Sequence, residues 1–299
     1  MYDVIIIGGS YAGMAAAMPL LRARRKVAII DAGVRRNRFA SHAHGVLALD
    51  GKPPGEIAAE AKRQLLAYPT LNWVDDSATG VIKNTSGFEV KTHKRQTLHG
   101  ARLIVATGVR DQLPEVPGLL ERWGQSVFHC PYCHGYELQG GEVGVLATND
   151  MAMHQALMLP DWGPTVLFLN ETFVPSDEQL AQLEQRGVRI EPGRVASLSG
   201  EDLTVNMDSG VQHQLAGLFV ASQISISQPW LDTLGCEMEQ SPIGPVLWTD
   251  EMKQTSVKHL YACGDNARAA GNVTFAIADG ATAGLSAHRS LLFEPLAKA

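Results

Sequence analysis

The sequence predicts an α/β protein made of two parallel-sheet domains of the doubly wound kind, the first interrupted by the second. Three observations carry that expectation. A complete strand–turn–helix–strand unit opens the chain, a weaker unit of the same kind stands midway, and a strand-like stretch followed by a long helical pattern closes it. Strands that alternate with helices form parallel sheets, because each crossover helix returns the chain to start the next strand from the same end.

The opening unit is the better defined. Val4, Ile5, Ile6 and Ile7 form an uninterrupted apolar run, as expected of a strand buried on both faces. The turn Gly8-Gly9-Ser10-Tyr11-Ala12-Gly13 follows, then an Ala-rich helix over residues 12–25 and a strand over residues 26–30 that ends at Asp31. A pyrophosphate site needs close backbone approach and a helix N-terminus. Gly8 permits the tight turn, and Gly13 lets helix pack on strand. Ser10 stands where such turns usually carry a middle glycine and adds only a small side chain. With Tyr11 and Ala12 it completes the candidate phosphate cradle. Asp31 lies 18 residues beyond Gly13, with Ala32 beside it, placed to accept hydrogen bonds from a ribose diol. A carboxylate there disfavours a 2′-phosphate, so FAD or NAD suits this Rossmann-like unit better than NADP.

In the second unit, residues 142–147 read as a strand, 150–159 as a helix and 165–169 as a strand. Turn-rich joints fall at residues 113–118 and 241–245, and a helix is expected over residues 273–292. The expected division is therefore residues 1–113 with 246–299 in one nucleotide-binding domain, and 118–241 in the other.

Composition narrows the function classes. Apolar residues make up 45% of the 299-residue chain, charged residues 19%, and the net charge is -6, an ordinary globular balance. Nucleic acid demands clustered Lys and Arg in a long run, which the chain lacks, and the cluster of Arg22, Arg24, Arg25 and Lys26 falls where cations complement a helix C-terminus. The longest apolar stretch, residues 4–21, is broken by Gly8, Gly9, Gly13 and Pro19 and lacks a basic start. No membrane span, no signal peptide and a cytoplasmic location are expected.

Of four cysteines, Cys236 and Cys263 stand alone and are expected to be buried and inert, whereas Cys130 and Cys133 form a CxxC inside His129-Cys130-Pro131-Tyr132-Cys133-His134. Four chemistries share that string. A dithiol/disulfide couple needs two thiols that can close a small ring and a neighbour that lowers one thiol's pKa. Covalent haem attachment needs a secretory route. Zinc needs further ligands, and Cys236 and Cys263 make no second CxxC. A glutaredoxin-type CPYC needs a long following helix, where this chain has Gly135 and the pair Gly140-Gly141. The redox couple is the best supported.

Taken in order, the GxxxxG turn, Ile104-Val105-Ala106-Thr107-Gly108, Cys130-Pro131-Tyr132-Cys133-His134-Gly135, Thr255-Ser256-Val257 and Tyr261-Ala262-Cys263-Gly264-Asp265 make a pattern. Over essentially its whole length the chain resembles the thioredoxin-reductase-like flavoproteins. CxxC followed by His-Gly looks most like the dithiol oxidases of gliotoxin and holomycin biosynthesis. The resemblance implies a homodimer binding FAD, with Cys133 facing the flavin, Cys130 exchanging with substrate and His134 as acid/base. His134 has one alternative, a surface turn residue. The resemblance also implies FAD contacts from Thr107, Gly108, Gly264 and Asp265, and from Val273 and Thr274 at the start of the last helix. His44, in the loop Ser41-His42-Ala43-His44-Gly45, falls where the family has a loop near the flavin ring.

The chain departs from the family at the second turn. A nicotinamide-binding turn there reads GxGxxA, followed after the next strand by a basic cluster. Here it is Ala147-Thr148-Asn149-Asp150-Met151-Ala152, then Asn170-Glu171-Thr172, and a later glycine motif has become Phe219-Val220-Ala221-Ser222. Crowding Cβ atoms and added negative charge make NADPH binding doubtful. The expected function is therefore FAD-dependent oxidation of a small-molecule dithiol or protein thiol, with oxygen or another non-nicotinamide acceptor. The alternatives are an NAD(P)H-dependent disulfide reductase and a low-turnover flavin redox sensor or electron-transfer protein.

Overall fold

The computed structural model of the chain describes residues 1–294. β1 (Tyr2–Ile7), α1 (Tyr11–Arg22) and β2 (Val27–Asp31) form the opening unit, with Val4 opposite Val27 and Ile7 opposite Ile30 in parallel register. The helix stops three residues earlier than the sequence suggests, because Arg24 adopts a left-handed φ of 60° and turns the chain into β2. α2 (Pro54–Leu66) leads to β3 (Leu71–Asp75) beside β2. β4 (Ala78–Asn84), β5 (Gly87–Thr92) and β6 (Thr97–Val105) follow as an antiparallel meander, and β6 also runs parallel to β1. The strand order is β3-β2-β1-β6-β5-β4.

β7 (Arg110–Gln112) carries the chain away. The second sheet is built from β8 (Val127–Phe128), α3 (Pro131–His134), β9 (Val143–Leu146), α4 (Ala152–Met158), β10 (Thr165–Phe168), α5 (Asp177–Gln185) and β11 (Arg189–Glu191). A small antiparallel sheet of β12 (Val195–Ser199), β13 (Thr204–Met207) and β14 (Gln212–Gln214) precedes β15 (Gly217–Val220), which enters the second sheet between β9 and β8. α4 begins two residues later than expected, because the Asn149 side chain accepts from the Met151 N–H at 2.9 Å and holds the preceding turn.

β16 (Gln223–Ser225) pairs antiparallel with β7, so the two crossings between the sheets form one ribbon. α6 (Trp230–Leu234), β17 (Met238–Ser241) and β18 (Gly244–Leu247) follow. β19 (Leu260–Ala262) then joins β6 in the first sheet, and α7 (Val273–Phe293) packs on α1. Trp230, Leu231 and Cys236, upstream of the expected return at residue 246, already pack with Ile5, Ile7 and Leu103 beneath the first sheet.

The opposite face of that sheet packs Val4 and Ile6 against α1 and α7. The two helices touch backbone to side: a Cβ on Gly280 would strike the Ala12 carbonyl, and one on Gly284 the Ala16 carbonyl. Arg102 of β6 is 1% exposed and fastens the far end of α7, donating to Ser290 Oγ at 2.7 Å, the Ser290 carbonyl at 2.8 Å and the Glu294 carbonyl at 2.6 Å. The Ser290 carbonyl also accepts from the Glu294 N–H at 2.9 Å, so Arg102 supplements the last bond of the helix and ties down the Glu294 carbonyl beyond it. Arg102→Met should lower the stability in urea by about 1–3 kcal/mol, the range for leaving buried acceptors unsatisfied. An unchanged midpoint would show that α7 does not depend on this fastening.

Candidate active site

The first sheet reverses its strand order between β1 and β6, and ligands of open α/β sheets bind in the crevice at such a point. Gly8 adopts a φ of 108°, and a Cβ on it would run into the Ala106 carbonyl; a Cβ on Gly13 would run into the Gly8 carbonyl. The cradle that a phosphate needs is therefore built from backbone that only glycine can supply at these two positions. Ser10 is the N-cap of α1, and its side chain makes no capping bond. Asp31 Oδ1 accepts from the Gly9 N–H at 3.0 Å, which brings the carboxylate against the turn, with Ala32 exposed beside it. Tyr11 faces away: its hydroxyl donates to the Pro54 carbonyl at 3.1 Å and accepts from Asn37 at 3.3 Å.

Thr107 and Gly108 continue from β6 into the same crevice. Asn266 donates to the Val105 carbonyl at 3.1 Å and lies 3.5 Å from Thr107 Oγ1. Gly264, with a φ of 80°, lies against Ala12, where an added Cβ would come within 2.8 Å. At the N-terminus of α7 the Asn272 side chain accepts from the Phe275 N–H at 2.7 Å, beside Val273. Thr274 Oγ1 donates to the Gly45 carbonyl at 3.1 Å, which ties the His44 loop to this helix end. The structure thus brings Gly8 and Gly13 beside Ala106, the neighbour of Thr107, and Gly264 beside Ala12, while the Tyr11 hydroxyl is engaged elsewhere. Its glycine-only cradle and helix N-termini fit a dinucleotide cofactor.

Cys130 and Cys133 form a disulfide with Cα atoms 5.3 Å apart, both half-buried. Pro131 opens α3, which ends after one turn and passes into a tight turn at Tyr136–Leu138, so no long helix follows. His134 is no surface residue. Its ring stacks on Phe128 at 4.3 Å, and both ring nitrogens are buried without a hydrogen-bond partner. Burial, helped by His44, pushes its pKa down to about 4 against the opposing pull of Glu137 and of the Cys130 backbone. His44 lies 3.3 Å from the Glu137 carboxylate and 3.8 Å from Asp50. His129 is pushed down to about 3 by burial and then by the Arg36 cation.

Sequence reasoning missed Arg36. Its guanidinium donates to both Asp111 oxygens at 2.9 and 2.6 Å and to Asp265 at 2.8 Å, and Ser222 adds a bond to Asp111 at 3.1 Å. Burial opposes the Arg36 charge, but the two carboxylates outweigh it and hold its pKa above the ordinary value. Burial likewise favours protonation of Asp111, and Arg36 overrides it and holds that carboxyl low. No local pattern announces a contact among residues so far apart in sequence.

In the second sheet the equivalent crevice lies between β9 and β15. Thr148 Oγ1 donates across it to the Ala221 carbonyl at 2.8 Å, and Asn149 occupies the Met151 N–H. Among the described residues no helix is long and apolar enough to cross a membrane, and no group of His, Cys, Asp and Glu is arranged to hold a metal.

A disulfide beside a buried histidine, joined to a glycine-cradled dinucleotide crevice, defines a thiol–disulfide redox protein. Residues 2–280 match the pyridine nucleotide-disulphide oxidoreductase family, and the chain belongs to it. It is similar to "Thioredoxin reductase tcpT" of Claviceps purpurea, 31% identical, with 97% of this chain and 94% of that protein covered. Among solved structures, an oxidoreductase from Agrobacterium tumefaciens is 51% identical with a TM-score of 0.95, covering 98% of this chain and 99% of that one. The structure titled HlmI is 32% identical with a TM-score of 0.92, covering 98% and 93%. The protein is a flavin-dependent oxidoreductase acting on sulfur groups.

Cys236 and Cys263 are free and buried; burial pushes the Cys236 thiol up to about 11 and the Cys263 thiol higher still. Iodoacetamide at pH 7.5 should label no cysteine in the native oxidised protein and only Cys130 and Cys133 after reduction, as read by peptide mass spectrometry. Labelling of Cys263 in folded protein would contradict its burial. His129 and His134 titrate lower folded, at about 3 and about 4, than the ordinary 6.5. Between those values the unfolded chain binds more protons, so their contribution to stability is complete above about pH 6.5 and is lost as pH falls. The melting temperature of the oxidised protein should drop between pH 7 and 4.5. In the double variant His129→Phe/His134→Phe that drop should shrink.

Proposed function

We propose that the protein is an FAD-dependent dithiol oxidase, and the observation that carries the reading is the Cys130–Cys133 disulfide set beside His134, whose ring nitrogens are buried and unpartnered. A substrate thiolate attacks the Cys130 sulfur, the Cys130–Cys133 bond breaks, and Cys133 leaves as thiolate. The second substrate thiol then attacks the mixed disulfide, closes the substrate's own S–S bond and releases Cys130. Two electrons pass to the cysteine pair, and two protons leave the substrate. His134, neutral at physiological pH, takes one of them. Bound FAD supplies the two-electron sink for the reduced pair and its outlet to an acceptor, which we take to be molecular oxygen with hydrogen peroxide as product. FAD would be held by Gly8, Ser10, the Tyr11 backbone, Ala12, Gly13, Asp31 and Ala32 on the adenosine side. His44, Thr107, Gly108, Gly264, Asp265, Val273 and Thr274 would hold its flavin side.

Two observations support an acceptor other than nicotinamide. Thr148 bonds across the second crevice at the place a pyrophosphate would take, and Asp150 and Glu171 add negative charge where a 2′-phosphate needs cations. The name of the Claviceps relative favours a second reading, a reductase. Residues 1–113 with the C-terminal return would form the FAD-binding domain. The exposed apolar residues Phe275, Ile277 and Leu285 of α7 support a homodimer.

An anaerobic stopped-flow experiment on the flavin-loaded protein tests the reading. A dithiol such as dithiothreitol should bleach the flavin, NADPH should not, and admitted air should restore the colour with release of hydrogen peroxide. Flavin reduction by NADPH at the rate of turnover would establish the reductase. Cys133→Ser should abolish turnover and trap a substrate thiol on Cys130, detected as added mass. Gly13→Arg should purify without flavin.

A further inference from the structure

The two sheets are joined by the β7–β16 ribbon, three residues to a strand. A two-stranded ribbon that short is marginal by itself and twists readily. Other contacts have to set the angle at which the second sheet, with the disulfide, meets the first. The turn Arg36–Phe39 lies at this junction and belongs to neither sheet.

Three contacts seat the turn. On the ribbon, Arg36 donates to both oxygens of Asp111 at 2.9 and 2.6 Å, a fork that fixes the plane of the carboxylate. Ser222, just before β16, bonds the same carboxylate at 3.1 Å. At the crevice, Arg36 donates to Asp265 at 2.8 Å. Toward the second sheet, Phe39 packs on the backbone of Gly124, which adopts a φ of 79°; a Cβ there would lie 2.6 Å from the Phe39 Cβ and 2.9 Å from its carbonyl carbon. From Gly124 the chain runs through β8 to Cys130. Beyond Cys133, Glu137 lies 3.3 Å from His44, whose loop Thr274 ties to the start of α7. The disulfide therefore sits between two contacts with the first half of the chain. The Glu137 side chain is 40% exposed, so that pair is screened and holds weakly. The Arg36 fork is buried, with Asp111 only 10% exposed.

We propose that Arg36 is a positioning residue for electron transfer: by holding Asp111 and Asp265 together, with Phe39 against Gly124, it sets how closely Cys133 approaches the cofactor in the first crevice. The inference rests on the dithiol-oxidation reading and on Cys133 as the flavin-facing sulfur. In the step it serves, the Cys130–Cys133 bond re-forms and its two electrons pass to the flavin, one proton with them and the other to solvent. Arg36 exchanges neither electrons nor protons. Placement alone carries weight in such a step, since a misplacement of about 1 Å can cost about a hundredfold in rate. Lysine keeps the charge but presents a single ammonium, which cannot fork two carboxylates.

The flavin-loaded Cys130→Ser protein reads the contact directly. Its Cys133 thiolate beside oxidised flavin should give a long-wavelength charge-transfer band. Adding Asp111→Asn, which leaves Arg36 paired with Asp265, should weaken that band severalfold at unchanged flavin content, and Arg36→Lys should weaken it likewise. With both cysteines present, anaerobic mixing with dithiothreitol separates two steps. Reduction of the disulfide, counted as free thiols after an acid quench, should keep its wild-type rate in Asp111→Asn and Arg36→Lys. Bleaching of the flavin should slow by about 10–100-fold. A merely stabilising contact would lower the melting temperature and leave the band and the ratio of the two rates unchanged; that result would overturn the proposal. Loss of flavin from Asp111→Asn would also overturn it, because the contact would then serve cofactor binding. So would a flavin-loaded Cys130→Ser protein without the band, since Cys133 would not face the flavin. If dithiothreitol leaves wild-type flavin coloured, the dithiol-oxidation reading fails, and the band with and without Asp111→Asn still decides whether Arg36 sets the approach.

Discussion

The buried guanidinium of Arg36 is the interaction on which the rest of the site depends. It binds Asp111 on the ribbon joining the two sheets and Asp265 on the turn that closes the first crevice. Ser222, where the chain leaves the second sheet, bonds the same Asp111. One cation thus fixes the relation between the cofactor crevice, the crossing strands and the sheet that carries the disulfide. A buried pair of this kind contributes little net stability against an apolar substitute, but removal of one partner leaves uncompensated charge and costs about 3–5 kcal/mol. Its value lies in specifying one arrangement. Asp111 and Asp265 have no other cation within ion-pairing reach among the described residues.

The two sheets offer a comparison of what a topological switch point requires. Both leave a crevice at the carboxyl ends of parallel strands. In the first, Gly8 and Gly13 remove the Cβ atoms that would collide with backbone, and Asp31 lies against the turn. In the second, Ala147 stands in place of the first glycine, Thr148 bonds across the gap, and Asn149 satisfies the amide that a phosphate would otherwise bind. The fold survives because strand burial, not ligand binding, holds β9, β10 and β15 together; Val145, Leu167 and Phe219 are fully buried. The architecture of a doubly wound sheet does not depend on what its crevice binds.

What the sequence disclosed and what it concealed divide along physical lines. Strand β1, the glycine turn, Asp31 and the CxxC were legible because each is a local signal, set by burial on both faces, by a missing Cβ or by a two-residue spacing. Element ends were displaced by local chemistry: Arg24 in a left-handed conformation shortened α1, and the Asn149 side chain delayed α4. Arg36 was invisible, since its partners lie 75 and 229 residues away and no periodicity marks an ion pair. The early return to the first sheet at Trp230 was also missed. The turn-rich stretch at residues 241–245, which looked like an interdomain joint, is the tip of the β17–β18 hairpin. His134 could be named from its place after Cys133, but its stacking on Phe128 could not, because β8 is only two residues long and gives no alternating pattern.

The burial of His134 has a cost that bears on its role. Two ring nitrogens without partners forfeit about 1–3 kcal/mol each relative to a solvated or bonded state. The penalty is borne where a substrate arrives, at the end of a turn that also holds the disulfide. In the proposed reaction a thiol entering beside Cys130 would offer the missing donor, and binding would recover part of that cost. Depression of the pKa to about 4 keeps the ring a neutral acceptor throughout the physiological range. It also makes the ring release its proton readily once the thiolate has moved on. The stacked, buried environment keeps the ring neutral and so weakens it as a base; in the proposed reaction an entering thiol would have to supply the polar contact that raises its proton affinity.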